Sequence, residues 1–181
     1  IRMYWWWNRR KALQTLEYMC RTYGREPALI GLEVINEPAD SWFLWRLMRY
    51  YDKAFTIAAQ YLPLDCKIIV SDAFKPLQVA QKLRSKPYAH RIVLDIHLYQ
   101  AHYLDNNPEM TPLSFNDHIR VLETEWTTLL QQLSTDFEIL VGEWSGGLPQ
   151  PAYKNVAGGE AAVVNTYIDV QRKLFQKYAW A

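Results

Sequence analysis

The sequence has few cysteines, few glycines and no long apolar run. Its 181 residues include 2 cysteines, Cys20 and Cys66, and 7 glycines, so neither a disulfide framework nor a flexible glycine-rich linker organises the chain. No uncharged apolar run approaches the ~20 residues that a membrane span needs. We expect both cysteines to be buried free thiols, with a single bridge between them as the alternative.

The chain also has no large excess of positive or negative charge. The chain has 20 Lys and Arg against 19 Asp and Glu, for a formal net charge of +1. A nucleic-acid-binding protein would show a strong basic excess, and a polybasic membrane anchor would show a basic cluster. We therefore expect neither a nucleic acid nor a membrane as partner. No signal-peptide core is recognisable, and the localisation, secretion included, is left open.

Helical and strand-like patterns alternate along a chain that is 50% hydrophobic, and its length predicts one domain over residues 1–181. Compact apolar runs predict strands over residues 28–35, 67–70, 91–96 and 137–141. Three-and-four spacings and capping signals predict helices over residues 9–23, 42–62, 76–84, 114–133 and 159–178. This alternation indicates an α/β fold with a parallel sheet. Two architectures fit: an open doubly wound sheet, or part of a (β/α)8 barrel.

Ionisable or hydrogen-bonding residues follow each predicted strand. They are Asn36 and Glu37, Ser71 and Asp72, His97 and Tyr99, and Glu143, Trp144 and Ser145. Each residue alone has a structural explanation, such as a loop carboxylate, a helix cap or a satisfied core histidine. Ligands of parallel α/β folds bind at the carboxyl ends of the strands, so the shared position favours one functional site.

Two carboxylates at separate strand ends, Glu37 and Glu143, are the minimum set for cleaving a glycosidic bond. One carboxyl group must give a proton to the leaving oxygen, while the other must be ionised to attack the anomeric carbon. No glycine-rich phosphate loop follows any strand, which disfavours nucleotide cofactors. The sequence shows no motif for a metal site either, and we expect no cofactor.

Three stretches resemble family 5 glycoside hydrolases of clan A. Residues 31–38, GLEVINEP, resemble the acid/base strand, residues 95–100, DIHLYQ, the sixth strand, and residues 140–145, LVGEWS, the seventh strand with its nucleophile. Residues 71–74, SDAF, and the His-x-Tyr-Gln order point within the family to the exo-β-1,3-glucanase branch. The resemblance implies a metal-free retaining enzyme with Glu37 as general acid/base and Glu143 as nucleophile.

The same resemblance implies roles for the remaining strand-end residues. Tyr99 would hydrogen-bond Glu143, and Asn36 would hydrogen-bond the sugar 2-hydroxyl. The other implied substrate-binding residues are His97, Asp72 and Trp144. For Trp144 the alternative is a side chain packed in the hydrophobic core. The substrate class would be β-1,3-glucan or related β-glucosides, with hydrolysis or transglycosylation as the outcome.

The matched motifs correspond only to about strands four to seven of the family's eight-stranded barrel, which usually needs ~250 residues. The family's arginine near the nucleophile would lie before Ile1, and its tryptophan platform beyond Ala181. In a flat sheet, three spacings of ~4.8 Å would separate Glu37 from Glu143 by ~14 Å, whereas a retaining pair needs ~5 Å. Barrel curvature must therefore bring the two together.

A half-barrel, whether natural or a fragment, exposes two strand edges and one apolar sheet face. We therefore expect a homodimer in which two halves close an eight-stranded barrel or stack their open faces. The leading hypothesis is a retaining glycosidase or transglycosylase. The rival hypothesis is a catalytically weak or inactive carbohydrate-binding half-barrel, because missing preorganised groups weaken transition-state stabilisation. An open-sheet α/β enzyme of another chemistry is the third alternative.

Overall fold

The computed structural model describes residues 4–38, 44–100, 113–154 and 156–180, with the side chains of all of these except residues 4–7. Its elements, in chain order, are α1 Tyr4–Tyr23, β1 Gly31–Glu33, α2 Leu44–Tyr61, β2 Lys67–Ser71, α3 Pro76–Leu83, β3 Ile92–Leu98, α4 Phe115–Val121, α5 Thr127–Leu133, β4 Glu138–Trp144 and α6 Gly159–Tyr178. A π-helical turn, Leu122–Trp126, joins α4 to α5. The predicted alternation of strands and helices is confirmed.

The four strands form one sheet in the order β1-β2-β3-β4. β1 pairs in parallel with β2, with Leu32 opposite Ile68, and β2 pairs in parallel with β3, with Val70 opposite Leu94. A doubly wound sheet reverses its strand order at a switch point, whereas a barrel adds each strand beside the last. The sequential order confirms the half-barrel prediction over the open doubly wound sheet.

β1 is shorter than the apolar run that predicted it. The prediction began at residue 28, but the chain is still turning there, because Glu26 N donates to Tyr23 O and Leu29 N donates to Glu26 O. Ile30 is exposed although it is apolar. Hydrophobicity therefore marked the segment correctly but could not show where pairing begins.

β3 and β4 are longer than predicted. β3 continues to Leu98, so His97 lies inside the strand, and β4 continues to Trp144, so Glu143 also lies inside its strand. Every residue of β3 is buried, the polar ones included. The sequence prediction ended these strands too early because the apolar pattern does not record how far backbone pairing continues.

The chain divides into two compact units, Ile1–Asp95 and Ile96–Ala181. A single domain over residues 1–181 stays a prediction.

Both cysteines lie in the first unit as buried free thiols, as predicted. Burial, with a smaller contribution from Cys66, raises the pKa of Cys20 to about 11. Gly24 ends α1, where a Cβ atom would meet the carbonyl oxygens of Cys20 and Tyr61. No described helix is long and apolar enough to cross a bilayer.

Two adjacent tyrosines of α2 hold the chain at the ends of β1 and β2, and we call them the tyrosine clamp. Tyr50 OH donates to Val34 O at 2.8 Å, and Tyr51 OH donates to Ser71 O at 2.6 Å. Their exposed fractions are only 2% and 1%. Because a buried carbonyl that loses its donor costs about 1–3 kcal/mol, the clamp fixes α2 against both strand ends.

In the second unit, α4 presents a fully buried histidine. His118 Nδ1 shares a short hydrogen bond with Gln100 Oε1, and Gln100 Nε2 donates to His118 O at 3.3 Å. The other ring nitrogen, Nε2, has no hydrogen-bond partner among the described residues. Burial lowers the pKa of His118, and the nearby charge of Asp117 opposes this only in part.

We predict that His118 makes the free energy of unfolding fall in mild acid. Because its pKa is lowered in the folded state, the unfolded chain binds the proton more readily. The stabilisation is complete above the unfolded value of ~6.5 and is lost as the pH falls toward the folded value. In urea unfolding at pH 7.5 and 5.5, His118→Gln should therefore lose less stability than the parent. The exposed His90, changed to Gln, is the control. An equal loss in the parent and His118→Gln contradicts the prediction.

Candidate active site

Three predicted site residues of the second unit come together at the ends of β3 and β4. Tyr99 OH donates to Glu143 Oε2 at 2.6 Å, and His97 Nδ1 lies 3.8 Å from Glu143 Oε1. The His97 side chain is 2% exposed, whereas that of Glu143 is 41% exposed. A hydrogen bond donated to a carboxylate favours its ionised form. The carboxylate is thus oriented by neighbours while it remains open to a ligand.

Side chains of α6 hold the segment that follows β4 in place. Gln171, which is fully buried, donates from Nε2 to Ser145 O at 3.0 Å, and Ser145 Oγ accepts from Gly147 N at 3.0 Å. A Cβ atom on Gly146 would lie 2.8 Å from the Ile168 side chain, so the close approach of α6 needs glycine there. These contacts limit the movement of the segment that follows Glu143.

Trp144 is directed away from Glu143. Successive side chains of a strand point to opposite faces, and the Trp144 ring packs edge-to-face on Phe175 of α6 with ring centroids 5.6 Å apart. Phe175 also stacks with Trp126. The described contacts favour the core alternative for Trp144, and its contact with substrate stays a prediction.

In the first unit, Asn36 and Glu37 follow β1 after Val34 and Ile35. Val34 N donates to Ile69 O at 3.0 Å, which continues the pairing with β2 just beyond β1. Glu37 has a φ of 38°, in the left-handed region that non-glycine residues seldom adopt. Residues held in such conformations cluster at functional sites. The backbone conformation of Glu37 is therefore a second indication, besides its position after a strand, that it belongs to a functional site.

Asp72 has a structural task at the end of β2. Its Oδ1 accepts a hydrogen bond from Phe74 N at 2.9 Å, and its N donates to Asp95 O at 2.8 Å. The turn that it closes holds Ala73 at a φ of 49° and Phe74 at a φ of 58°. The Phe74 ring is 59% exposed. Phe74 belongs to the SDAF stretch, but the sequence predicts no role for it, because the exposure of an aromatic ring cannot be deduced from the sequence.

We predict that Asp72→Ala destabilises the chain by about 1–2 kcal/mol, because the turn then loses the acceptor for Phe74 N. Asp72→Asn keeps an oxygen at the Oδ1 position and should recover most of that loss. Urea unfolding of the parent and the two variants measures both effects. If Asn destabilises as much as Ala, the negative charge matters and the acceptor does not.

Relatives among known proteins cover most of this chain, but no family model matches it. It is 26% identical over 158 residues to an uncharacterized glycosyl hydrolase of Saccharomyces cerevisiae and 24% identical over 168 residues to a probable glucan 1,3-beta-glucosidase A of Aspergillus niger. The matches cover 87% and 90% of this chain, but 30% and 37% of the relatives. The chain therefore spans about a third of the length of these relatives.

A solved structure shares the fold. The chain is similar to endoglucanase Cel5A from Thermotoga maritima with a TM-score of 0.69 and 16% identity, over 96% of this chain and 57% of that one. At this identity the likeness concerns the fold alone. Together with the sequence relatives, it confirms the predicted resemblance to glycoside hydrolases and the α/β half-barrel fold class.

Proposed function

We propose that this chain carries the catalytic carboxylates of a retaining glycoside hydrolase that acts on β-1,3-glucan or related β-glucosides. The observation that carries the proposal is the hydrogen bond from Tyr99 to the accessible carboxylate of Glu143. A carboxylate held by a neutral donor and open to solvent suits attack on an anomeric carbon. The similarity to a glycosyl hydrolase and a probable glucan 1,3-beta-glucosidase supports the substrate class.

Glu143 is the nucleophile of this proposal. A Glu143 oxygen bonds to C1 of the sugar while the bond from C1 to the leaving oxygen breaks. Tyr99 holds Oε2 in place, and the buried ring of His97 supports the carboxylate from the Oε1 side. The Tyr99 hydroxyl needs no change in its own protonation state to do so.

Glu37 is the general acid and base. In the first step its proton goes to the leaving oxygen. In the second step Glu37 takes a proton from water, whose oxygen then bonds to C1 as Glu143 leaves. If another sugar hydroxyl replaces water, the same steps give transglycosylation. A retaining mechanism requires carboxyl groups ~5 Å apart, so this mechanism needs that spacing between Glu37 and Glu143.

The remaining residues bind sugar or shape the place where it binds. Asn36, which is exposed at the end of β1, hydrogen-bonds the 2-hydroxyl of the sugar. His97 lines the subsite of the cleaved sugar. Asp72 acts through the turn that presents the exposed ring of Phe74, a flat surface on which a sugar ring can stack. Trp144 packs on Phe175 and stays 39% exposed, and its contact with substrate stays a prediction.

We predict that the parent converts laminari-oligosaccharides to products of other lengths and that Glu143→Ala reduces this to background. Glu37→Gln should lose ~10²–10⁴-fold, because it removes only general acid–base catalysis. Chromatography of the products measures turnover and separates hydrolysis from transfer. Circular dichroism confirms that each variant is folded. Full activity in Glu143→Ala would contradict the assignment. Sugar binding by a folded parent without any product would favour the carbohydrate-binding alternative.

We also propose that two copies of the chain associate as a homodimer. β1 and β4 are the outer strands of the described sheet, and an outer strand presents backbone groups that another strand can pair with. Sedimentation velocity at micromolar concentration should give the mass of two chains of 21.4 kDa. A stable species with the mass of one chain contradicts the dimer and leaves the carboxylate assignments unaffected.

A further inference from the structure

A groove of about 420 Å³ lies in the second unit, at the end of β4 that is opposite to Glu143. One wall is formed by residues 134–139 and the other by residues 177–180; we call it the Trp180 groove. Its volume falls in the range of ~300–1,000 Å³ that is usual for ligand sites. From Glu138 to Glu143 the strand extends about 17 Å, at ~3.3 Å per residue. The groove is therefore separate from the proposed nucleophile.

The first wall of the Trp180 groove supplies groups that can bind hydroxyls. Asp136 and Glu138 are exposed carboxylates, and Ser134 and Thr135 are exposed hydroxyls. Both hydroxyls donate to carbonyl oxygens in the last turn of α5, at 3.1 and 2.7 Å. These bonds hold the two side chains in place, and a hydroxyl oxygen that donates can still accept. The wall thus presents a row of hydrogen-bond acceptors.

The second wall contains an anchored tryptophan. The chain leaves α6 in an extended conformation at Ala179, and Trp180 N then donates to Ile139 O of β4. Ile139 is fully buried, so this bond fixes the backbone of Trp180 to the sheet. Trp180 is nevertheless 39% exposed. A large aromatic side chain is therefore held beside the acceptors while it stays accessible to a ligand.

Exposure alone would not single out Trp180, because Trp45 is 53% exposed. The Trp45 ring, however, has two guanidinium groups over it. Those of Arg46 and Arg49 lie 5.1 and 5.9 Å from its centroid. The Trp45 ring is thus engaged by cations, and it makes a matched control for Trp180.

The combination of an aromatic ring with acceptors suits a neutral sugar. A β-glucose ring presents a flat face of C–H groups, which stacks on an aromatic ring, and equatorial hydroxyls around its rim, which donate to carboxylates. The described walls carry two carboxylates and one ammonium group, that of Lys177, so the local net charge is negative. Negative charge repels phosphate, sulfate and nucleic acids. The charge of the groove therefore favours an uncharged polyhydroxyl ligand.

We propose that the Trp180 groove is a second carbohydrate site, which holds a β-glucan chain away from the catalytic carboxylates. The choice of β-glucan rests on the proposed function. A disaccharide bound in the groove is out of reach of Glu143, so the groove contributes no group to the reaction. Its effect is on the affinity for long chains, because one polymer can occupy it while another part of the same polymer reaches the carboxylates.

Trp180→Ala tests the proposal, with Trp45→Ala as the matched control. Both changes are made in Glu143→Ala, so that the glucan is not consumed, and retardation in native gels that contain laminarin, a soluble β-1,3-glucan, gives the Kd. We expect Trp180→Ala to raise the Kd about 5-fold or more, because an aromatic stacking contact is lost. Trp180→Phe keeps a ring and should recover most of that loss. Asp136→Ala, at an exposed position, should also weaken binding, whereas Trp45→Ala should not.

Three results would overturn the proposal. They are no binding of laminarin by the Glu143→Ala parent, an unchanged Kd in folded Trp180→Ala, and an equal rise of the Kd in Trp45→Ala. Kinetics with Glu143 intact then separates the groove from the chemistry. We expect Trp180→Ala to lower kcat/KM for laminarin relative to its value for laminaribiose, and an equal loss on both substrates contradicts this. If laminarin binding depends on Trp180 but no glucan is cleaved, the proposed function fails and the second site stands.

Discussion

The tyrosine clamp of α2 is the interaction on which the first unit's part of the site depends. The two hydroxyls donate to the carbonyls of Val34 and Ser71. Val34 lies shortly before Glu37, and Ser71 directly precedes Asp72. Helix and strands are thus joined at the point where regular pairing stops. Because both phenols are buried, water cannot compete for these bonds. Burial raises the pKa of Tyr50 to about 12, so its hydroxyl keeps its proton at physiological pH.

The sequence was sufficient for the order and type of the elements, because buried parallel strands and amphipathic helices have different apolar patterns. It was insufficient for their ends. Ile30 is apolar but exposed before β1, whereas His97 and Glu143 are polar but lie within strands. Strand ends depend on backbone pairing with a neighbour, and hydrophobicity does not record pairing.

The contacts of the site were predictable where both partners lie within the motifs that resemble the family. The Tyr99 contact with Glu143 was expected from the motif resemblance and is present. The turn of Asp72 and the contact of Trp144 with Phe175 were not resolved, because each depends on a neighbour that the motif does not contain.

The distribution of the buried thiols gives this protein a natural reporter. Cys20 and Cys66 are the only cysteines of the sequence, and both lie within the first unit. A thiol reagent attacks the thiolate, which burial disfavours, so labelling waits for the surrounding structure to open. The labelling rate therefore reports local opening of the first unit and does not report local opening of the second. The stability of one unit can be measured inside the whole chain without an engineered label.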